Sequence, residues 1–281
     1  MKALADNELK ALIKLAGDED ESSSSGLLRQ LADIVRLEPE RIETIITTEF
    51  ADKLPPAVST LLEESRWRSL ENMFRNLSRS AKNPDLEEGL FLISKFAFQK
   101  ISLADISTPL DAIAAEARER VSNSQDLPRI VAFLSDVVYH KHALRGADPK
   151  TQNPEDTYLY NLLKNKTGMP ITLGSLYILL GKRLNLPIHG MGIPGHFLVQ
   201  YKTWNGDLFL DPYQEGRVVS PRECQMMVLS RGVHWDPEFL NPVDNRYILC
   251  RTLGNLIYEY NRSKDERRSA QLKRYLQILQ D

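Results

Sequence analysis

Apolar residues recur at three- and four-residue intervals through the first half of the chain, the spacing of one face of an α-helix. Leu9, Leu12, Ile13 and Ala16 follow it, as do Leu28, Leu31 and Ile34. In "RIETIITTEF" the stripe is Ile42, Ile45 and Ile46, and in "WRSLENMFRNL" it is Trp67, Leu70, Met73, Phe74 and Leu77. "EEGLFLISKFAF" and "TPLDAIAAEARERV" continue the pattern, the latter through Leu110, Ile113 and Ala114. Between the first two stripes "GDEDESSSSG" reads as a flexible polar break. Short antiparallel helix pairs are the unit of helical-repeat proteins, but no repeat period here is sharp enough to predict an array. "LPRIVAFLSDVVYHKHALRG" predicts a further helix, with Ile130, Phe133, Leu134, Val137 and Val138 inward. His140 and His142 lie two apart on it, so they point in different directions and make poor joint ligands. "ADPKTQNPEDTY" follows as a polar loop.

The second half changes character. "ITLGSLYILLGKRLNL" carries Leu173, Leu176, Tyr177, Leu180 and Leu184 on one stripe. That helix starts at Pro170, a residue pre-organised for a first turn, and stops before Pro187. "HFLVQYK" and "DLFLDPY" are short β-like runs, and Asn205-Gly206 between them is a hairpin signal because both central positions of such a turn need positive φ. Two helices close the pattern, one through Leu249, Leu253, Leu256, Ile257 and Tyr260, the next through Leu272, Tyr275, Leu276 and Leu279. The class predicted is α+β, mostly helical with a small antiparallel sheet.

Composition narrows the function. The chain has 281 residues, a formal net charge of −2, 42% hydrophobic and 26% charged residues, ordinary values for a globular protein. Without a basic stripe, nucleic acid is not the expected partner. No stretch reaches the ~18 apolar residues of a membrane span, so no membrane partner is expected. The opening "MKALADNELKALIKLAGDEDE" is too polar for a signal-peptide core, and two cysteines, Cys224 and Cys250, fit a reducing cytoplasm. No zinc-ligand spacing and no glycine-rich phosphate loop occurs, so neither metal nor cofactor is expected.

The residues that bear chemistry lie in the second half. "GIPGHFLVQY" places His196 after a Pro-Gly turn at the mouth of a strand. It reads either as a core histidine bonded to a backbone carbonyl or as a base held on a rigid sheet. Asp211 closes the next strand and could fix its tautomer. A helix opening at Gly168-Met169-Pro170 precedes both, and helix N-termini favour thiolate nucleophiles.

"TGMPITLGSLYILLGKRLNLPIHGMGIPGHFLVQY" with "LFLDPYQEGRVVSPREC" resembles the transglutaminase-like domain of the bacterial SirB1 family, over roughly Pro154 to Cys224. "PGHFLV" and "DPYQEG" carry the resemblance furthest. "FQKISLADISTPLDAIAAEARERV" resembles the family's helical N-terminal region. The closing helices resemble its tetratricopeptide-like region, here with room for about one pair of a ~34-residue repeat. The resemblance implies a helical N-terminal region over residues 1–125 and a papain/transglutaminase-like domain over 126–243. It also implies a truncated tetratricopeptide-like helix pair over 244–281. It implies a bacterial cytoplasmic protein, with His196 as base and Asp211 as orienter.

The nucleophile does not carry over. Transglutaminase-like enzymes open this helix with Gly-x-Cys, and the aligned residues are Gly168-Met169-Pro170, with proline where the thiol stands. Candidate substitutes are Thr172, Ser175 and Cys224. Against them, Thr172 lies about 200° around the helix, Ser175 more than a turn away, and Cys224 reads as a buried structural thiol. A two-residue Asn-Gly turn sets Asp211 opposite Gln200, so a direct His196–Asp211 pair needs a longer turn or a bulge.

The expected function is a non-catalytic transglutaminase-like module that binds a protein or peptide. The alternative is a hydrolase or amide-processing enzyme with a displaced nucleophile. A third reading is a structural domain supporting helical assembly. Oligomeric state is open.

Overall fold

The computed structural model describes residues 4–16, 21–50, 53–124, 126–203 and 206–281. The chain divides into two compact units, Met1–Asn72 and Met73–Asp281. The first unit holds α1 (Asp6–Leu15), α2 (Glu21–Leu37), α3 (Pro39–Glu49) and the start of α4 (Pro56–Ser80). Leu9, Leu12, Ile13, Leu31, Ile42, Ile45 and Ile46 form its core, so the stripes read from the sequence are the buried ones. Residues 21–26 of the polar run belong to α2 rather than to a break. Serine and glycine cost a helix up to ~1 kcal/mol each relative to alanine, and burial of Leu31, Ile34 and Val35 on the same helix offsets that cost. Residues 17–20 of that run lie outside the described residues.

The second unit contains α5 (Leu86–Ala97), α6 (Ala104–Ser122), α7 (Leu127–Ser135), α8 (Leu159–Asn165), α9 (Pro170–Leu184), α10 (Pro221–Leu229), α11 (Asn245–Arg262) and α12 (Glu266–Gln280). Two β-elements complete it. β1 (Arg145–Gly146) and β2 (Thr167–Gly168) pair in parallel. The antiparallel sheet runs in order β3 (Ile188–Met191), β4 (Leu198–Tyr201), β5 (Leu208–Asp211), β6 (Arg217–Val219). The fold is α+β.

α9 is the central element, buried along nearly its whole length, as expected of a helix apolar on most sides. Pro170 occupies its first turn, and Asn185 ends it in the left-handed region at φ 57°. It packs on β3 and β4, and glycine permits the approach: a Cβ on Gly174 would stand 2.4 Å from the Phe197 ring. By alternation Leu198 points to the other side from Val199, where it joins Met191, Phe209 and Val219 with Cys224 and Val228 of α10.

Two segments differ from the sequence reading, and α10 goes beyond it. The helix over 127–146 ends at Ser135 and continues as a π-helical turn, Asp136–Lys141. Val137, Val138 and Tyr139 on this turn are all buried. "NPEDT" is a 3₁₀ turn held by an Asn153/Asp156 capping box, with Asp156 and Thr157 buried. "SPRECQMMVL" is a helix, α10, with a Ser220/Glu223 capping box. His140 on the π-helical turn lies 3.8 Å from Asp136, and His142, just past its end, pairs with Glu116 at 3.0 Å.

Candidate functional site

His196 sits at the end of a tight turn. Its N–H donates to the Ile193 carbonyl at 3.2 Å, with Pro194 and Gly195 in the central positions. Gly195 has φ +71°, the conformation a type II turn requires at its third residue. From α11, Arg251 Nη2 donates to the Ile193 and His196 carbonyls, both at 2.8 Å. Its guanidinium also lies 5.8 Å from the Phe197 ring centroid. The turn is thereby held from outside, and the imidazole enters the fold with only 9% of its surface exposed.

Asp211 ends β5 and is fully buried. Its Oδ1 accepts the backbone N–H groups of Tyr213 at 3.0 Å and Gln214 at 3.3 Å, capping the 3₁₀ turn Pro212–Gln214. Its Oδ2 accepts His196 Nε2 at 2.9 Å and Gln214 Nε2 at 2.9 Å. Four donors on one carboxylate compensate its charge in a dry environment. A carboxylate accepts, so Nε2 is the ring nitrogen that donates to Asp211. Nδ1 makes no hydrogen bond among the described residues.

The "DPYQEG" loop is braced on every side. Tyr139, placed by the π-helical turn, donates to the Pro212 carbonyl at 2.7 Å. The Tyr213 ring meets His196 edge-on at 5.9 Å, and its hydroxyl donates to the Ala147 carbonyl. Gly216, at φ +74°, lies against the Ser135 and Tyr177 hydroxyls, 2.4 and 2.7 Å from where a Cβ would stand. Burial pushes the Tyr177 phenol up to about 12, so it stays a neutral hydrogen-bonding group. Ala147 in turn donates to Gly168 O at 3.0 Å, and Met169 to Asp156 O at 2.9 Å. Hydrogen bonds therefore run from the imidazole's neighbour to the residues that open α9.

The dyad forms in a register the sequence did not predict. Val199 faces Leu210 and Tyr201 faces Leu208, which continued by one residue sets Leu198 opposite Asp211. The connection is longer than two residues, and the Asp207 carboxylate closes it by accepting Gln200 Nε2 at 2.7 Å. Of the Asn205-Gly206 hairpin signal, Asn205 lies outside the described residues. His196 reaches Asp211 from an irregular segment just before β4.

A buried histidine just before one strand, a carboxylate at the end of the next and a central helix are the frame of acyl-transfer enzymes of the papain type. Residues 104–254, more than half of the chain, match the transglutaminase-like superfamily. The chain belongs to that superfamily. Among curated proteins it is similar to a UPF0162 protein of Xylella fastidiosa, 28% identical over 171 residues, 59% of this chain and 61% of the relative. A UPF0162 protein of Vibrio cholerae is 26% identical over 178 residues, 61% of this chain and 65% of the relative. F-box only protein 21 of Homo sapiens is 21% identical over 221 residues, 66% of this chain and 35% of that protein. The chain thus spans about six-tenths of the length of its UPF0162 relatives. No solved structure matches it.

Within this transglutaminase-like frame the structure places each candidate. Pro170 stands in the first turn of α9 and brings no side-chain heteroatom. The Thr172 hydroxyl is buried and donates to the carbonyls of Thr157 at 3.0 Å and Asp156 at 3.3 Å. Ser175 is fully buried, its hydroxyl without a hydrogen-bond partner among the described residues. Cys224 is buried in the cluster beneath β4 and β5. Burial, with the Glu223 charge second, pushes its thiol up to about 11. None of the three bonds to His196.

Sequence reasoning missed several residues that build the site. Gln214 shares the Asp211 carboxylate, Tyr139 and Tyr213 brace the loop, and Arg251 holds the turn. The capping boxes "NPED" and "SPRE" were legible signals for two of the local structures. Nothing in residue spacing announces Tyr139 or Arg251, which arrive from distant elements.

Proposed function

We propose that this chain is a transglutaminase-like module that has lost thiol acyl transfer and binds a protein or peptide segment at the His196 face. One observation carries the reading: proline stands at the first turn of α9, and none of the candidate substitutes Thr172, Ser175 and Cys224 bonds to His196. Thr172 spends its proton on backbone carbonyls, Ser175 is enclosed, and the Cys224 thiol is held protonated. A histidine–aspartate pair with neither nucleophile nor metal lacks a complete set for acyl transfer. What persists is a rigidly held imidazole whose Nδ1 has no hydrogen-bond partner among the described residues and can bond a ligand.

Finer assignments belong to the same reading. Placement in the SirB1 family is supported by the "PGHFLV" and "DPYQEG" tracts. A tetratricopeptide-like character for α11–α12 is supported by two capped helices that pack along each other. A cytoplasmic setting is supported by the two free cysteines. No helix among the described residues is long and apolar enough to cross a membrane.

The test is covalent labelling. The native chain is treated with a fluorophosphonate and a peptidyl vinyl sulfone, and intact mass is read. The expected result is no adduct that depends on His196. An adduct on the native chain that disappears in His196→Gln, a variant able to keep the Asp211 hydrogen bond, establishes the displaced-nucleophile enzyme instead.

A further inference from the structure

We propose that the surface around the Gly192–His196 loop takes an acidic peptide segment of a partner protein. The proposal rests on the binding reading above and names its ligand class. Tyr247, Arg251, Gly254 and Tyr258 lie four, three and four residues apart along α11, one stripe of the helix. Both tyrosines are exposed, Tyr258 to 66%. The stripe abuts the histidine-bearing loop: a Cβ on Gly192 would stand 2.5 Å from the Tyr247 ring, and Arg251 holds the loop's carbonyls. Arg231 covers the same loop at Gly195, its Nε 2.2 Å from where a Cβ would stand.

Two cations therefore bracket one loop, and neither meets a carboxylate among the described residues. Arg231 donates to the Met227 carbonyl; Arg251 donates to the Tyr247 hydroxyl and two carbonyls. A guanidinium has five N–H donors in a fork that matches a carboxylate, so each retains donors to offer. Charge complementarity selects an acidic partner. Two guanidiniums on one loop suit a carboxylate-bearing peptide, whereas the sequence has no basic stripe of the kind a nucleic acid needs.

Gly254 marks where that partner approaches. The second unit has three other glycines inside helices, and each is required by packing within the chain. A Cβ would stand 2.4 Å from Leu249 at Gly89, 2.4 Å from Phe197 at Gly174 and 2.9 Å from Ile188 at Gly181. At Gly254 it would meet nothing within 4 Å. A helix-interior glycine costs ~1 kcal/mol relative to alanine, and here no contact of the chain itself calls for it. Gly26 of α2 is equally uncrowded; what sets Gly254 apart is its place between Arg251 and Tyr258 on this stripe, where it leaves room for an incoming backbone. Tyrosine and arginine around a small residue are also the composition of interface hot spots.

The experiment uses the full chain and a fluorescein-labelled copolymer of glutamate and tyrosine, read by anisotropy. The expected result is saturable binding, weakened ~10-fold or more in Arg231→Glu and in Gly254→Leu, the size of one lost hot-spot contact. Lys150→Glu, an exposed charge elsewhere, leaves it unchanged. A Cβ at Gly254 meets nothing within 4 Å and leucine improves helix propensity; a melting temperature at or above that of the native chain separates lost binding from unfolding. Absence of saturable binding, binding indifferent to both variants, or equal affinity for a thymidine oligonucleotide overturns the proposal. A concentration-dependent dimer abolished by Gly254→Leu also overturns it and assigns the stripe to a second copy. A His196-dependent probe adduct refutes the underlying binding reading whatever the copolymer does. Copolymer binding indifferent to the variants refutes this surface and leaves that reading standing.

Discussion

Replacing Asp211 by alanine removes the acceptor that organises the site. The carboxylate is fully buried and takes four hydrogen bonds, from His196 Nε2, Gln214 Nε2 and the backbone N–H groups of Tyr213 and Gln214. A buried donor left without a partner costs ~1–3 kcal/mol. The four are not independent, since the 3₁₀ turn can loosen and release its amides together. The expected loss is therefore ~3–5 kcal/mol, the range for breaking a buried charged network on one side. That is a large fraction of the ~5–15 kcal/mol that holds a domain together. Asp211→Asn keeps one oxygen for the two backbone amides and lets His196 accept rather than donate, so its expected cost is smaller, ~1–2 kcal/mol. Equilibrium urea unfolding followed by circular dichroism reads both. Asp211→Ala within 1 kcal/mol of the native chain, or Asn as costly as Ala, refutes the keystone role derived from those four bonds.

The same glycine-to-alanine change is expected to have opposite signs at two helix positions. Gly174→Ala drives a Cβ to 2.4 Å from the Phe197 ring and costs ~1–2 kcal/mol net of improved propensity. Gly254→Ala meets nothing within 4 Å and gains up to ~1 kcal/mol; thermal melts of the pair decide it, and equal shifts contradict the packing read at either site. The Cys224 thiol, raised to about 11 mainly by burial against an ordinary value of 9.0, keeps its proton in the folded chain after the unfolded chain has released it. Its contribution to stability is thus whole below about pH 9 and is lost as pH climbs towards 11. Iodoacetamide at about pH 8 is expected to spare Cys224 in the folded chain and to modify it in concentrated guanidinium, since the thiolate is the nucleophile; mass spectrometry after digestion shows which.

How far the sequence spoke depended on the range of the interactions involved. α9 was legible end to end because Pro170 and the Asn185–Pro187 exit punctuate an apolar stripe, and α11 and α12 were legible from their periodicity. The serine-rich run misled because local preference yielded to burial further along α2. The π-helical turn had no signature in the local pattern, and the partner of its Tyr139, the Pro212 carbonyl, is 73 residues away. The His196–Asp211 contact followed from the motif and not from strand register. The shortest turn set Gln200 opposite Asp211, and closure by the Asp207 carboxylate shifted the partner to Leu198. Side chains from distant elements, Arg251 above all, became visible only once the fold brought them to the loop.

Pro170→Cys asks whether the nucleophile alone is missing from this site. The account holds that base and orienter are in place and that the nucleophile alone is absent. A thiol restored at the first turn of α9 is then expected to titrate at about 7 or below, as cysteines at helix N-termini beside histidine do. It is expected to take the vinyl sulfone, and to lose both properties when His196→Gln is added. The pH dependence of the labelling rate, native chain and variants side by side, gives the answer. A restored thiol that reacts no faster than Cys250 and ignores His196, or a native chain already labelled through His196, contradicts the account.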